Sequence, residues 1–392
     1  MASEPRRLMF VEGNVDGTIG GSFFSLLFLV AGLDRGRFHA TVVFAAENPL
    51  IPRFRAAGAE VVVIRPTAPY IAPSSLLRPV AKAVNFVRGF HGEPRRLARE
   101  LKQRRIDLVH LNNSIIRNHA WMVAARRAGI PCITHERGIN AAFPARAHYL
   151  GRRLDAVICI SQAVRDNFQS LGLGDLRMHT ILNGLDPGEM KVRQPADEIR
   201  AEFGLTPGRR VIGMVGTIRY WKGQDVLVRA VAALRERFPD IACLLIGTAS
   251  PDDGSYERQV KAQIAELGLE RHVIITGYRS NVADYVNALE IQVHSSTLPE
   301  PFGRVLLEAM ALRKPLVASR GGAVPEIVDE GVTGLMFTPS DHADLARGLQ
   351  ELLIAPERAR AMGEAGYRRL VERFGIDRNV AETQKLYESL LG

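Results

Sequence analysis

Apolar residues along the chain fall into two alternating kinds of segment. Short continuous runs rich in Val, Ile and Leu are separated by longer stretches in which apolar positions recur every third or fourth residue. Runs of the first kind are typical of strands covered on both faces, and the longer periodicity predicts crossover helices, so the pattern implies parallel sheets with right-handed connections. In the first half, strands are predicted at 8–13 (LMFVEG), 39–46, 59–64, 107–112, 130–136 and 155–161, with helices over 22–31, 49–57 and 117–128. A polar, proline-bearing segment at 183–198 (NGLDPGEMKVRQPADE) precedes a second cycle and reads as a linker. Strands of that cycle are predicted at 210–217, 241–248, 272–278, 290–296 and 314–319, and helices near 223–237, 255–267, 281–288, 303–312, 324–329 and 341–354. Residues 362–391 form a helical tract broken near Gly375. The expected fold class is α/β: two Rossmann-like, doubly wound parallel-sheet domains, residues 1–187 and 188–370, facing across a cleft, with a terminal helix (371–392) packing back on the first. Ligands of doubly wound sheets bind at the carboxyl ends of the strands.

Composition supports a folded, multidomain chain. Among 392 residues, 46% are hydrophobic and 24% charged, which excludes general disorder. The three cysteines, Cys132, Cys159 and Cys243, each lie inside an apolar run without metal or disulfide spacing, so buried thiols in a reducing compartment are expected. The uncharged stretch between Asp16 and Asp34 contains three glycines near its start and is shorter than the roughly 20 residues a spanning helix needs. With no secretory leader evident, the expected location is the cytoplasm.

The net charge of +9 is unevenly placed: residues 1–195 hold 27 Lys/Arg against 15 Asp/Glu, and the remainder 24 against 27. Residues 65–105 hold ten Lys/Arg against two Asp/Glu, interleaving Leu76, Leu77, Val80, Val84, Phe86 and Val87 with Arg78, Lys82 and Arg88. The segment reads either as a basic amphipathic helix on an anionic membrane surface, which would make the protein peripheral on the inner face of the cytoplasmic membrane, or as an ordinary surface helix covering the first domain. Nucleic acid is not an expected partner, because no helix-turn-helix pattern or aromatic-studded basic motif is present.

Three segments carry candidate chemistry. In VGTIRYWKGQD (215–225) a strand leads through a loop holding Arg219 and Lys222 to a helix opening at Gly223. Two cations beside the free amides of a helix start form a diphosphate site, although the spacing is not that of a Walker loop. In DGTIGGSF (16–23), Gly20 and Gly21 would let backbone approach a ligand closely. Glu300 and Glu308 flank PFGRVLL, where free amides from Phe302 to Val305 would receive anionic oxygens while the carboxylates accept from sugar hydroxyls. No Asp-x-Asp or His-Glu-x-x-His pattern occurs, so no metal is expected. A sugar-nucleotide epimerase would use the same kind of site, and is distinguished by consuming no acceptor.

Taken in order, these segments resemble glycosyltransferase family four, the retaining transferases of group 1 with the GT-B fold. The match runs through Gly20-Gly21, His135 in ITHERG, ICISQAVRDNF (158–168), NGLD (183–186), GTIRYWKGQD (216–225), TGYR (276–279), EPFGRVLLEAMA (300–311), GGAVPEIV (321–328) and GVTGL (331–335). The resemblance implies that Arg219 and Lys222 hold the donor diphosphate and stabilise the leaving phosphate, beside Gly216 of the same loop. It assigns Glu308 to the nucleotide ribose, and Glu300 to the donor sugar with Phe302 and Gly303 beside it. Amides of Val305 and Leu306 would approach the phosphates, Tyr278 and Arg279 the base, Gly21 the phosphates from the first domain, and His135 the transferred sugar. The first domain, 1–187, would bind the acceptor and the second, 188–370, the nucleotide sugar. One departure is Thr217, where many members carry arginine. The implied activity is retaining, metal-independent hexosyl transfer from a UDP-, GDP- or ADP-sugar to a glycan or lipid-linked acceptor in cell-surface polysaccharide or glycolipid biosynthesis, without a bound cofactor. Retention would follow same-face attack, with the leaving phosphate taking the acceptor proton, because no carboxylate nucleophile is evident.

Overall fold

The computed structural model describes residues 4–14, 20–68, 70–249 and 254–392, and the chain divides into two compact units. The first comprises the chain up to Asn183 together with Ile376–Gly392, the second Gly184–Gly375.

In the first unit the apolar runs become β1 (Arg6–Glu12), β2 (Phe38–Phe44), β3 (Glu60–Val63), β4 (Leu108–Leu111), β5 (Cys132–Glu136), β6 (Ala156–Cys159) and β7 (Met178–Thr180). All pair in parallel, in the order β3-β2-β1-β4-β5-β6-β7. Crossovers are made by α1 (Gly21–Ala31), α2 (Ile51–Ala56), α3 (Arg78–Val87), α4 (Glu93–Gln103), α5 (His119–Ala128), α6 (Ala145–Gly151) and α7 (Gln162–Phe168). On one face of the sheet Phe10, Val42 and Phe44 meet Phe23 and Leu26 of α1, with the rings of Phe23 and Phe44 stacked at 5.7 Å. Strand order reverses between β1 and β4, which opens a crevice at their carboxyl ends.

The basic segment 65–105 is not one amphipathic helix. A single turn over 75–77 leads into α3, a π-helical turn over 88–92 follows, and α4 completes the tract. α4 buries Pro94, Leu97, Ala98 and Leu101, whereas α3 buries only Ala81 and exposes Val80, Phe86 and Val87, with Leu76 exposed just before it.

The second unit repeats the plan with β8 (Arg210–Val215), β9 (Ile241–Ile246), β10 (Val273–Gly277), β11 (Ile291–His294), β12 (Leu316–Ser319) and β13 (Gly334–Phe337), ordered β10-β9-β8-β11-β12-β13. Its helices are α8 (Ala196–Glu202), α9 (Gln224–Leu234), α10 (Ser255–Glu266), α11 (Val282–Asn287), α12 (Arg304–Ala311), α13 (Val324–Ile327), α14 (His342–Leu353) and α15 (Pro356–Arg373). The reversal here lies between β8 and β11. Strands β7 and β13 were not expected: β7 reads Met-His-Thr, with no apolar run, and β13 is four residues behind a loop. Cys132, Cys159 and Cys243 are buried in β5, β6 and β9.

After α15 the chain turns into α16 (Ile376–Leu391), which rejoins the first unit by placing Val380, Leu386 and Tyr387 in its core. The units change over at 183/184 and 375/376 rather than at the expected 187/188 and 370/371. Two contacts account for this. The segment expected to be a linker is tied to the second unit, where the Arg193 and Gln194 amides donate to Asp284 Oδ1 at 2.6 and 3.1 Å. α15 also runs unbroken past residue 370 before the Leu185 amide takes the Phe374 carbonyl at 2.9 Å. Among the described residues no helix is long and apolar enough to cross a membrane.

Candidate functional site

In the second unit the carboxyl ends of β8 and β11 deliver two helix starts and a polar cluster. α9 opens at Gly223, whose φ of +68° is a left-handed backbone. A Cβ there would stand 2.1 Å from the Ser295 carbonyl oxygen, so only glycine lets the Lys222 loop lie against the end of β11. The Ser295 hydroxyl meets the Lys222 and Gly223 carbonyls at 3.0 and 2.9 Å and fixes the loop. α12 likewise opens at a left-handed glycine, Gly303, with φ +85°. Between the two starts lies Glu300, whose carbonyl accepts the Ala323 amide at 2.8 Å.

Glu300 Oε2 is the focus of the cluster. Lys222 Nζ donates to it at 2.7 Å, His294 Nε2 lies at 3.2 Å and Ser296 Oγ donates at 3.2 Å. Ser319 Oγ stands 3.4 Å from His294 Nδ1, so the imidazole is held on both sides. Burial alone would raise the Glu300 carboxyl, but the His294 hydrogen bond and the Lys222 ammonium outweigh it and hold the group below the usual carboxylate range. The carboxylate therefore stays ionised. Oε2 takes all three described bonds, which leaves Oε1 to accept from a ligand hydroxyl. The Lys222 ammonium has three protons, so it can hold Glu300 and an anionic oxygen together.

The other expected residues fall around this cluster unevenly. The Arg219 guanidinium lies over the Trp221 ring, 4.9 Å from its centroid, in the Lys222 loop. The amide of Gly216 binds the Ile246 carbonyl at 3.0 Å where β8 ends. Glu308 sits on the second turn of α12, and its Oε1 accepts from Arg304 Nε at 2.9 Å. Phe302 is buried with its ring 6.3 Å from that of Phe374. Val305 lies in the first turn of α12, but the Leu306 amide, expected to face phosphate, donates to the Gly303 carbonyl at 2.9 Å, because the opening turn tightens on itself. Tyr278 is exposed, while the cation expected at the base, Arg279, is committed elsewhere. It pairs with Glu202 at 2.8 Å and stacks over the rings of Phe203 and Tyr285.

In the first unit, Gly20 caps α1 and Gly21 begins it, and a Cβ on either would meet nothing within 4 Å. The rest of that turn, residues 15–19, lies outside the described residues. His135 is 1% exposed, at the end of β5. Its Nδ1 lies 3.2 Å from His110 Nε2, and His110 Nδ1 lies 2.6 Å from the Tyr387 hydroxyl of α16. With Tyr387 donating at one end, each imidazole accepts on Nδ1 and donates from Nε2. In that tautomer Nε2 of His135 carries the proton, and this atom is buried without a hydrogen-bond partner among the described residues. Burial first, then the charge of Arg137, lowers both imidazoles, His110 to about 3, so both are neutral. Beside them Asn112 Nδ2 donates to Glu12 Oε2 at 2.6 Å, and Arg137 bonds the Asn112 and Asn183 side chains at 2.8 and 3.0 Å.

Glu12, His110, Arg137, His294, Ser296 and Tyr387 were not singled out from sequence. Their one signal was position: five of them sit at or near the carboxyl end of a Val/Ile-rich run, where doubly wound sheets bind ligands.

Comparison with known proteins bears directly on this arrangement. Residues 19–189 match the family model described as Glycosyltransferase Family 4, and residues 195–369 match that described as Glycosyl transferases group 1. The chain is 26% identical over 355 residues to the lipopolysaccharide core biosynthesis mannosyltransferase LpsB of Rhizobium meliloti, an alignment covering 87% of this chain and 92% of that protein. It is 30% identical to the corresponding mannosyltransferase LpcC of Rhizobium leguminosarum bv. viciae, over 63% of this chain and 68% of that one. In fold it is similar to Anabaena HepE, crystallised with UDP and glucose, with a TM-score of 0.81 at 24% identity over 97% of this chain and 99% of that one. The two doubly wound sheets, the helix starts gathered on Glu300 and these matches lead to one assignment: the chain belongs to glycosyltransferase family 4 and is a group 1 glycosyltransferase of the GT-B fold.

Proposed function

We propose that the protein is a retaining, metal-independent hexosyltransferase that uses a nucleoside-diphosphate sugar and a glycan or lipid-linked acceptor, in cell-surface polysaccharide or glycolipid biosynthesis. The observation that carries the reading is the Lys222–Glu300 pair at 2.7 Å between the starts of α9 and α12. In this reading Lys222 and Arg219 take the diphosphate, the amino ends of α9 and α12 add their amides, Glu300 Oε1 accepts from the donor sugar and Glu308 from the ribose. Negative charge grows on the departing phosphate as the anomeric bond breaks, so fixed cations aimed there lower the barrier and supply the neutralisation a divalent ion would otherwise give. The phosphate then takes the acceptor proton on the same face of the sugar. His135, neutral and presenting an Nε2 proton, donates to a sugar hydroxyl. The mannosyl and lipopolysaccharide-core activities named for LpsB and LpcC support a hexosyl donor and a cell-surface product.

The cytoplasmic, peripheral reading rests on α3, whose exposed Val80, Phe86 and Val87 lie among cations. A thermal-shift panel of UDP-, GDP- and ADP-sugars tests the donor assignment. One of them at 100 times its dissociation constant should add about 2.7 kcal/mol. Flat melting curves across the whole panel would defeat the proposal, and release of free nucleoside diphosphate only when an acceptor is present separates transfer from epimerisation.

A further inference from the structure

The first unit contains a cavity of about 610 Å³ that the donor reading does not use. Its floor is the carboxyl end of β1, one wall is the α3–α4 tract, and another is the amino end of α5. Three observations bear on what it holds. Glu12, 1% exposed, lines the floor, and its Oε1 has no hydrogen-bond partner among the described residues. Phe86, Phe90 and Trp121 make the walls apolar. Lys82, Arg88, Arg117 and Arg146 also line it, and none of the four side chains has an ion pair or hydrogen bond among the described residues. The cavity's other carboxylate, Glu93, is already committed to Arg96 and Thr67. Unpaired cations around an apolar hollow attract a ligand that carries its own negative charge. The first turn of α5, His119 to Trp121, adds free amides to the same wall, between Arg117 and Arg146 in sequence.

We infer that the ligand of this cavity is an anionic amphiphile; on the glycosyltransferase reading, which already places the acceptor in the first unit, that ligand is the acceptor. Its phosphate or carboxylate lies with Arg117, Arg146 and the start of α5, its apolar portion along Phe86, Phe90 and Trp121, and one hydroxyl on Glu12 Oε1. The inference rests on the glycosyltransferase reading for the word acceptor, while the ligand chemistry stands on the cavity.

The chain has two tryptophans, Trp121 in the cavity and Trp221 in the Lys222 loop, so Trp221→Phe leaves a single reporter. Full-length protein with that change is titrated, at low salt and below micelle formation, with octyl phosphate, octanoate and octyl glucoside. Octyl phosphate or octanoate is expected to shift Trp121 emission saturably, at least tenfold more tightly than the uncharged glucoside. Which of the two binds better identifies the acidic group. Arg117→Gln with Arg146→Gln should abolish that tenfold preference while glucoside binding is unchanged. The same double substitution in the otherwise native chain should keep its thermal shift with a nucleotide sugar, so loss of the anion preference is read independently of the donor. Equal binding of charged and uncharged amphiphiles, an unaltered preference in the double variant, or no saturable change in any arm overturns the inference. Absence of the nucleotide-sugar shift in the unaltered protein would instead overturn the donor reading.

Discussion

Lys222 serves two partners, the Glu300 carboxylate and, in the proposed complex, a phosphate oxygen. Lys222→Met should therefore lower kcat by roughly 10²–10³, the cost typical of losing one preorganised electrostatic group. Steady-state kinetics with the preferred donor checks it, and a KM change with kcat intact would remove Lys222 from the chemistry. At this scale the sequence was legible wherever charge stood beside a helix start, which is why Lys222, Glu300 and Glu308 could be picked out. It was opaque wherever a polar side chain hid in an apolar run. His294 ends Ile-Gln-Val-His and reads as strand, yet it lies 3.2 Å from the Glu300 carboxylate. The partners of Arg279 were equally hidden: Glu202, Phe203 and Tyr285 are brought onto it only by the fold.

The elements that carry the site are held by glycines where two loops cross. Gly322 has φ +59°, and a Cβ on it would stand 2.1 Å from the Glu300 carbonyl oxygen. Gly322→Ala is expected to lose about 1–3 kcal/mol from backbone strain alone, and more from the displaced Glu300 loop. A denaturant melt measures the loss, and a stability equal to that of the unaltered protein would contradict the close crossing. Most strands were legible because each is a buried Val/Ile run bounded by polar residues. β7 lacks such a run, and β13, Gly-Leu-Met-Phe, contains neither Val nor Ile. Within the 65–105 tract, burial is decided by what each half meets: α5 covers α4, whereas α3 buries only Ala81.

Across the whole molecule the buried polar groups of the first unit set how stability responds to acid. His110, lowered to about 3, and His135, lowered well below its usual value, stay neutral when folded, whereas an unfolded histidine gains its proton below about 6.5. Unfolding therefore takes up protons, and stability falls as pH drops from 6.5. Glu136, raised by burial to about 7, acts in the opposite sense, since the folded state keeps a proton that the unfolded state releases above about 4.5. Glu12, also raised chiefly by burial, joins it. In this interval the two carboxyls oppose the two imidazoles one for one, and His119 and His179, both also lowered chiefly by burial, add to the imidazole side. Chemical denaturation should thus show stability declining from pH 6.5 to 5, and more steeply in Glu136→Gln. A flat profile in both proteins would contradict the buried, neutral imidazoles.

The return of α16 to the first unit has a consequence for biosynthesis. Val380, Leu386 and Tyr387 complete a core whose other buried residues leave the ribosome some two hundred codons earlier. At about 5–20 residues per second the nascent first unit waits roughly 10–40 s for its closing helix, while Gly184–Gly375 has everything it needs once it is made. During translation the second unit is the one able to finish first, and the amino-terminal half, with the part of its core that α16 closes still uncovered, is the part a chaperone would find.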